Sequence, residues 1–415
     1  MVELKQYFVS CMCIFLMLIM QLASAQKVIV DSMHTILQRD SVVENGVPQR
    51  DLIDYTRIWF GFKPNVKSEF KPGDKPVLSV LPAAGYTLQT RLAGLLSGNL
   101  AFFTSVKKGS RLSVINASVG YSQNKQFFIP VQTNVWLWND RINLQGDLRY
   151  MKYPQSTFGL GSNAPFKNEN PMDFQYVRFY QYFLYRFGKN FLLGPGFNLD
   201  NRWKISEKGL AGNQPSDYVL YGASSSSIST GYSLNLLYDS RKNPINANNG
   251  LELNLVLRNN PTAWNQMPWS SVVFDARKYI PVNASKKNVL ALWSYTWLIT
   301  SGKPPYLDLP STGWDVINNS GRGYIQGRFR GKHFLYNEAE YRFRITANGF
   351  LGAVVFANVQ TVSGWPDNRL QQLQPGAGGG IRLKLNKKSN TNVSIDYGFG
   401  ANGSRGLFVN VGEVF

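Results

Sequence analysis

The sequence predicts an all-β fold, a 16-stranded antiparallel transmembrane β-barrel, and three observations carry that expectation. The first is composition: of 415 residues 14% are aromatic, only 17% are charged and 37 are glycine. A helical membrane protein is far more apolar, and a disordered chain has fewer aromatic and aliphatic residues. An ordinary soluble enzyme of this size carries more Glu, Lys and Ala in helix-forming runs. The second is a period-two alternation of apolar and polar residues, repeated from about Val77 onward. The third is an export leader at the start, followed by no other run approaching the roughly 20 apolar residues of a spanning helix.

Residues 1–25 have the layout of a secretory leader. Lys5 lies in a short polar start, an apolar core runs through Phe8, Cys11, Cys13, Phe15 and Leu18, and Ala23-Ser24-Ala25 supplies small residues for cleavage. Cleavage after Ala25 leaves 390 residues beginning at Gln26, with both cysteines removed. Disulfides, thiolate nucleophiles and Cys-metal sites go with them. Residues 26–76 are polar and nearly neutral, with eight basic and seven acidic residues and one helix candidate from Arg50 to Phe60. They read as a short periplasmic segment ahead of a barrel domain at 77–415. The formal charge of +19 therefore belongs almost wholly to the barrel. It favours an anionic lipid surface or acidic cargo. Export argues against nucleic acid as a partner.

Sixteen segments can be placed, near 77–91, 92–104, 111–122, 126–138, 141–153, 173–187, 190–206, 226–240, 250–260, 270–282, 288–301, 333–346, 349–363, 376–388, 391–401 and 405–415. Side chains leave a strand alternately on its two sides, so each segment has an oily face and a polar one. The fourth to sixth segments bring aromatics to strand ends (Trp136, Trp138, Tyr150, Tyr153, Tyr176, Tyr180, Tyr182), which read as interfacial girdles. The fifth sets Ile142, Leu144, Leu148 and Tyr150 against Asn143, Gln145, Asp147 and Arg149. The ninth sets Leu251, Leu253, Leu255 and Leu257 against Glu252, Asn254 and Arg258. The eleventh carries Val289, Ala291, Trp293, Tyr295, Trp297 and Ile299 as its oily face. The twelfth turns Leu335, Ala339, Tyr341, Phe343 and Ile345 one way and Tyr336, Glu338, Glu340, Arg342 and Arg344 the other. The fourteenth alternates Ile381, Leu383 and Leu385 with Arg382 and Lys384. A soluble sandwich alternates too. The apolar faces here, however, match the roughly 9–11 residues of a tilted spanning strand, and full charges in mid-strand suit a wet lumen.

Long connections fall at 154–172, 207–225 and 302–332, after the fifth, seventh and eleventh segments, while short turns such as Asn139-Asp140 and Asn348-Gly349 follow even-numbered ones. An even strand number with long loops on one side is the pattern of bacterial outer-membrane barrels. Sixteen strands enclose more space than their own side chains fill, so something occupies the interior or it conducts water. Phe415, with Val411, Val409 and Leu407 on the same face and Glu413 interrupting it, resembles the end signal of proteins inserted by the outer-membrane assembly machinery.

Beyond the eleventh segment the chain reads Gly321-Arg322-Gly323-Tyr324-Ile325-Gln326-Gly327-Arg328-Phe329-Arg330-Gly331-Lys332, then a strand containing Glu340-Tyr341-Arg342. This resembles the signature of the BamA/TamA-type outer-membrane insertase superfamily, also called bacterial surface antigens. Its pattern is an aliphatic-Arg-Gly-aromatic tip, a Gly/Arg-rich stretch and a strand carrying Glu-Tyr-Arg. Asp239-Ser240-Arg241-Lys242-Asn243-Pro244 with Gly250, Pro82-Ala83-Ala84-Gly85-Tyr86, Phe158-Gly159-Leu160-Gly161 and Ile395-Asp396-Tyr397 resemble further pieces in the same order.

The resemblance implies that the long loop folds into the lumen and that its tip, Arg322-Gly323-Tyr324, is locked to acidic groups on the wall. Glu338, Glu340 and Asp396 are the expected partners of Arg322. Where the family has Phe-x-Asp-x-Gly in strand thirteen, this chain has Phe356-Ala357-Asn358-Val359-Gln360. Asn358 is thus expected to accept a hydrogen bond from Arg322 without adding charge, and Gly321 replaces the usual aliphatic residue. A lateral seam is also implied, with Gly85 and Tyr86 of the first strand against Val409, Val411 and Phe415 of the last. In the family it opens and offers a strand edge to clients. Residues 26–76 are too few for even one of the family's polypeptide-transport-associated domains.

The expected function is that of a Gram-negative outer-membrane barrel, in contact with lipid and lipopolysaccharide, taking part in assembly, insertion or translocation of proteins. Client outer-membrane proteins are the expected partners. An accessory barrel docked on another envelope complex and a passive pore are the alternatives. Catalysis and cofactors are not expected. His34 and His333 are too few for a metal cluster, His333 opens a strand beside Lys332 as an interface residue, and neither a Gly-x-Ser-x-Gly elbow nor a phosphate loop is present.

Overall fold

Alternation that runs through most of the chain leaves two sheet faces of opposite polarity, and closing the sheet gives each face its own solvent. In the computed structural model, which describes residues 43–44, 47–52, 54–56, 72–107, 110–282, 287–387 and 389–415, the sheet does close. The strands are β1 (Val77–Thr87), β2 (Arg91–Phe102), β3 (Ser113–Ser122), β4 (Phe127–Leu137), β5 (Ile142–Lys152), β6 (Asn170–Phe187), β7 (Phe191–Glu207) and β8 (Ser226–Asp239). They continue with β9 (Gly250–Asn260), β10 (Trp269–Pro281), β11 (Val289–Gly302), β12 (His333–Arg344), β13 (Leu351–Val362), β14 (Gln374–Asn386), β15 (Thr391–Gly400) and β16 (Arg405–Val411). Each pairs antiparallel with its sequence neighbours, β16 returns to β1, and residues 155–157 add a short strand beside β6. The expected leader at 1–25 lies outside the described residues, as do 53 and 57–60 of the expected helix, of which 52 and 54–56 are helical.

The two faces are sorted by charge. Arg149, Arg178, Asp200, Arg258, Asp275, Arg277, Glu340 and Asp396 are buried, whereas Leu92, Leu96, Phe183, Leu234, Leu257 and Val355 on the opposite face are exposed. A closed sheet has only an inside and an outside, so the charged face is the inner one. An exposed apolar belt of this extent is what lipid-facing strands present. The inner charges are paired: Asp200 accepts from Arg258 at 2.7 Å and from Tyr180 at 2.7 Å, and Arg277 meets Asp275 at 2.6 Å. By contrast, beyond Arg91 the inner face of β2–β4 is uncharged, with Ser97 beside Ser118 and Asn99 donating to Asn116 at 2.6 Å, and with Gln132 and Asn134 exposed.

Strand pairing is uneven around the cylinder. β1 and β2 align through eleven consecutive residue pairs from Val77 opposite Ala101 to Thr87 opposite Arg91. β16 meets β1 through a single pair, Val409 opposite Tyr86.

Three expectations need correction. The oily face of β11 does not look outward: Val289, Ala291, Trp293 and Tyr295 are buried, and Trp293 packs against Tyr336 at 5.0 Å and Phe415 at 5.2 Å. Both faces of that strand are apolar, so parity alone leaves its orientation open. Tyr176, Tyr180 and Tyr182 share their face with Arg178 and line the interior instead of a girdle, with Tyr176 and Tyr180 donating to Asp200. Lastly, β16 ends at Val411. Gly412 takes a φ of +108°, and the chain turns inward, burying Phe415 and pointing Glu413 at Arg382. Phe415 is therefore not part of the seam.

Candidate functional site

Residues 303–332 connect β11 to β12, and their side chains meet residues of β12 and β15 at one end and of β7 and β8 at the other. Near the tip, the Arg322 guanidinium, 2% exposed, meets carboxylates from two strands. It donates to Glu340 at 2.5 Å, to Asp396 at 2.9 Å and to Glu338, and it lies 3.6 Å from the centre of the Phe356 ring. Glu338 and Glu340 are two apart on β12, so alternation puts both on the inner face, while Asp396 comes from β15 three strands further round. Unpaired, any of these charges would be strongly unfavourable at such burial; together they are mutually satisfied. The Tyr336 hydroxyl donates to Glu338 as well.

The other predicted lock residues join the same cluster. Gly323, at φ +102°, lies flat on β15: a Cβ there would meet the Phe399 carbonyl oxygen at 2.7 Å. The Tyr324 hydroxyl accepts from the Ala401 amide at 2.7 Å and donates to the Pro375 carbonyl. Asn358 departs from expectation. Its Nδ2 donates to the backbone carbonyl of Arg322 at 3.0 Å instead of its oxygen accepting from the guanidinium, which turns to the carboxylates. At the seam, Gly85 and Tyr86 face Val409, with space for a Gly85 Cβ limited by the Val409 carbonyl oxygen at 3.1 Å. Val411 is exposed at the end of β16.

Three further groups are absent from the sequence expectations. A glycine bed receives the tip: added Cβ atoms would strike Gly323 N at 2.7 Å from Gly398, the Tyr324 ring at 2.6 Å from Gly400, and the Arg322 carbonyl at 3.0 Å from Gly376. Glycines at 376, 378, 380, 398 and 400 recur at period two, a signal for close backbone approach. Second, the loop is tied to the opposite wall through Asp308, which pairs with Arg202 on β7 and accepts from the Ser229 hydroxyl on β8 at 2.6 Å. Arg202 in turn lies 4.0 Å from the Tyr176 ring centre. Third, the residues after β16 enter the cluster. Glu413 lies 2.6 Å from Arg382, which bonds Asp396 at 2.5 Å. The Val414 carbonyl accepts from Asn319 of the loop at 2.9 Å, and the Phe415 carbonyl from Arg342 at 2.7 Å. A loop leaving one end of the barrel thus touches a tail leaving the other.

No protein-family model and no curated protein sequence matches the chain. Among solved structures it is similar to BamA from Haemophilus ducreyi lacking POTRA domains 1-3, at 13% identity and a TM-score of 0.55, covering 82% of this chain and 70% of that one. It is also similar to CdiB from Acinetobacter baumannii, at 12% identity and a TM-score of 0.53 over 81% of this chain and 60% of that one. CdiB from Escherichia coli matches at 14% and 0.53 over 84% and 63%. The chain spans less than two thirds of either CdiB chain. What it shares with these proteins is the barrel fold.

Proposed function

We propose that this chain is a Gram-negative outer-membrane barrel that handles client polypeptides, inserting or translocating them, with residues 303–332 as an internal plug and the β1–β16 junction as a lateral seam. The contact between Asn319 and Val414 carries the plug reading: a path through the lumen brings a loop from the long-loop end to the tail beyond β16. The single residue pair at the junction supports the seam: most ladders elsewhere in the barrel are far longer, so this one opens at the smallest loss of backbone hydrogen bonds. A freed strand edge is a template on which an extended client segment can pair. The insertase resemblance of the loop motif supports the same reading, now that Arg322, Glu338, Glu340 and Asp396 lie together. Lipid and lipopolysaccharide are the surroundings that the exposed apolar belt fits.

Depletion of the protein followed by quantitative profiling of the outer membrane tests this. Loss of a subset of other barrels or surface proteins is the expected outcome. An unchanged profile overturns client handling, and co-purification with a larger envelope complex would then favour an accessory barrel.

A further inference from the structure

The lock and the tail after β16 share their charges, and the sharing closes on itself. Arg322 bonds Glu340 and Asp396; Arg342 bonds Glu340 at 2.6 Å and stands 4.0 Å from Glu413; Arg382 bonds Asp396 at 2.5 Å and Glu413 at 2.6 Å. Read in order, Arg322, Glu340, Arg342, Glu413, Arg382 and Asp396 form a ring of alternating sign. One member lies on the loop, one on the tail and four on the wall strands β12, β14 and β15. The tail is held elsewhere too. Glu413 accepts from Asn392 and, at 3.4 Å, from Asn246. The Phe415 ring stands against Trp293 and, at 6.4 Å, Tyr279. The tail therefore runs from the seam strand to β10–β12 across the interior, beneath the loop.

We infer that Glu413 is a positioning residue that couples the seam to the plug: the tail holds β16 in place only while the Arg322 lock is closed, and the two release together. This rests on the plug and seam proposed above. The physical basis is that Arg342 and Arg382 are common partners. Withdrawal of Arg322 leaves Glu340 and Asp396 with unmet negative charge, which draws both guanidiniums toward them and away from Glu413. Loss of Glu413 frees the same two guanidiniums to compete with Arg322 for Glu340 and Asp396. Groups in one ion network respond non-additively, unlike independent anchors.

Two reporters in the full barrel test it. A disulfide between Tyr86→Cys and Val409→Cys reads seam closure, and maleimide labelling of buried Ser320→Cys reads loop seating. Heat-modifiable migration on gels certifies the fold, with Phe415→Ala as a second tail variant that removes no charge. Glu413→Gln and Arg322→Ala are each expected to lower the seam disulfide yield several-fold and to raise Ser320→Cys labelling, and the double variant is expected to be no worse than the more severe single one. Unchanged reporters in Glu413→Gln, or a double variant whose effects multiply, overturn the coupling. Labelling that rises in Arg322→Ala alone overturns the coupling and leaves the lock standing. Protected Ser320→Cys in Arg322→Ala overturns the lock itself.

Discussion

The side-chain amide of Asn358 donates to the backbone carbonyl of Arg322 at 3.0 Å. The same nitrogen stands 3.5 Å from Glu338. Four carboxylates (Glu338, Glu340, Asp396, Glu413) share three guanidiniums here (Arg322, Arg342, Arg382), so a neutral donor at 358 fits a site already short of positive charge. Asn358→Asp, which restores the residue that the insertase pattern carries, is accordingly expected to weaken the lock. It replaces a donor with a fifth anion facing a carbonyl and Glu338. Loss of a buried hydrogen bond with an unpaired acceptor costs about 1–3 kcal/mol. Urea midpoints of the folded barrel in detergent check this, and a stabilised Asn358→Asp barrel would show that Arg322 turns to meet it.

Seating of the tip depends on bare backbone in β15. Gly398→Val drives a side chain into Gly323, whose amide nitrogen is only 2.7 Å from the position of the first added carbon. Overpacking of this kind costs about 1–3 kcal/mol. Here the loop can yield where the strand cannot. The expected result is a folded barrel with a displaced tip and raised single-channel conductance in planar bilayers. Conductance equal to that of the unsubstituted protein would mean that the tip does not limit the water path.

How much of this is legible in the sequence depends on whether charge marks the inner face. The sixteen strands fall where alternation places them, to within four residues at any end, because Asp147, Arg149, Arg258 and Arg382 betray which parity faces inward. On β11 no charge does so, and an inner face of Trp293 and Tyr295 looks like a lipid face. The lock residues are legible only through the motif, since Asp396 lies 74 positions from Arg322. Asp308 is less visible still: its partner Arg202 lies 106 positions away and no motif spans the two. The inward turn of the tail rests on Gly412 and on Glu413, which interrupts an apolar face because it leaves that face altogether.

The second anchor is expected to hold the first half of the loop independently of Arg322. Asp308→Ala leaves Arg202 buried without its carboxylate, and breaking a buried pair from one side costs about 3–5 kcal/mol. Hydrogen exchange should then quicken in residues 303–315 while the Arg322 tip stays protected. If exchange instead quickens evenly to residue 332, the two anchors act as one unit.

Acid should weaken the hold of Glu413 on the tail. Burial alone would push the Glu413 carboxyl up, but Arg382 and Arg342 outweigh burial and the nearby Glu340, and hold it below its usual value of 4.5. A carboxyl whose pKa is depressed by folding contributes stability above the ordinary value and loses it as pH falls through the lower, folded one. The stability difference between the unsubstituted protein and Glu413→Gln should thus be constant from neutrality down to about pH 5 and shrink below it, since protonated Glu413 and Gln are alike in charge. Tryptophan fluorescence followed through urea titrations at each pH measures it, with Trp293 beside Phe415 as a local reporter. A difference that persists unchanged at about pH 3 would mean that folding does not depress the Glu413 pKa or that its contribution is not electrostatic.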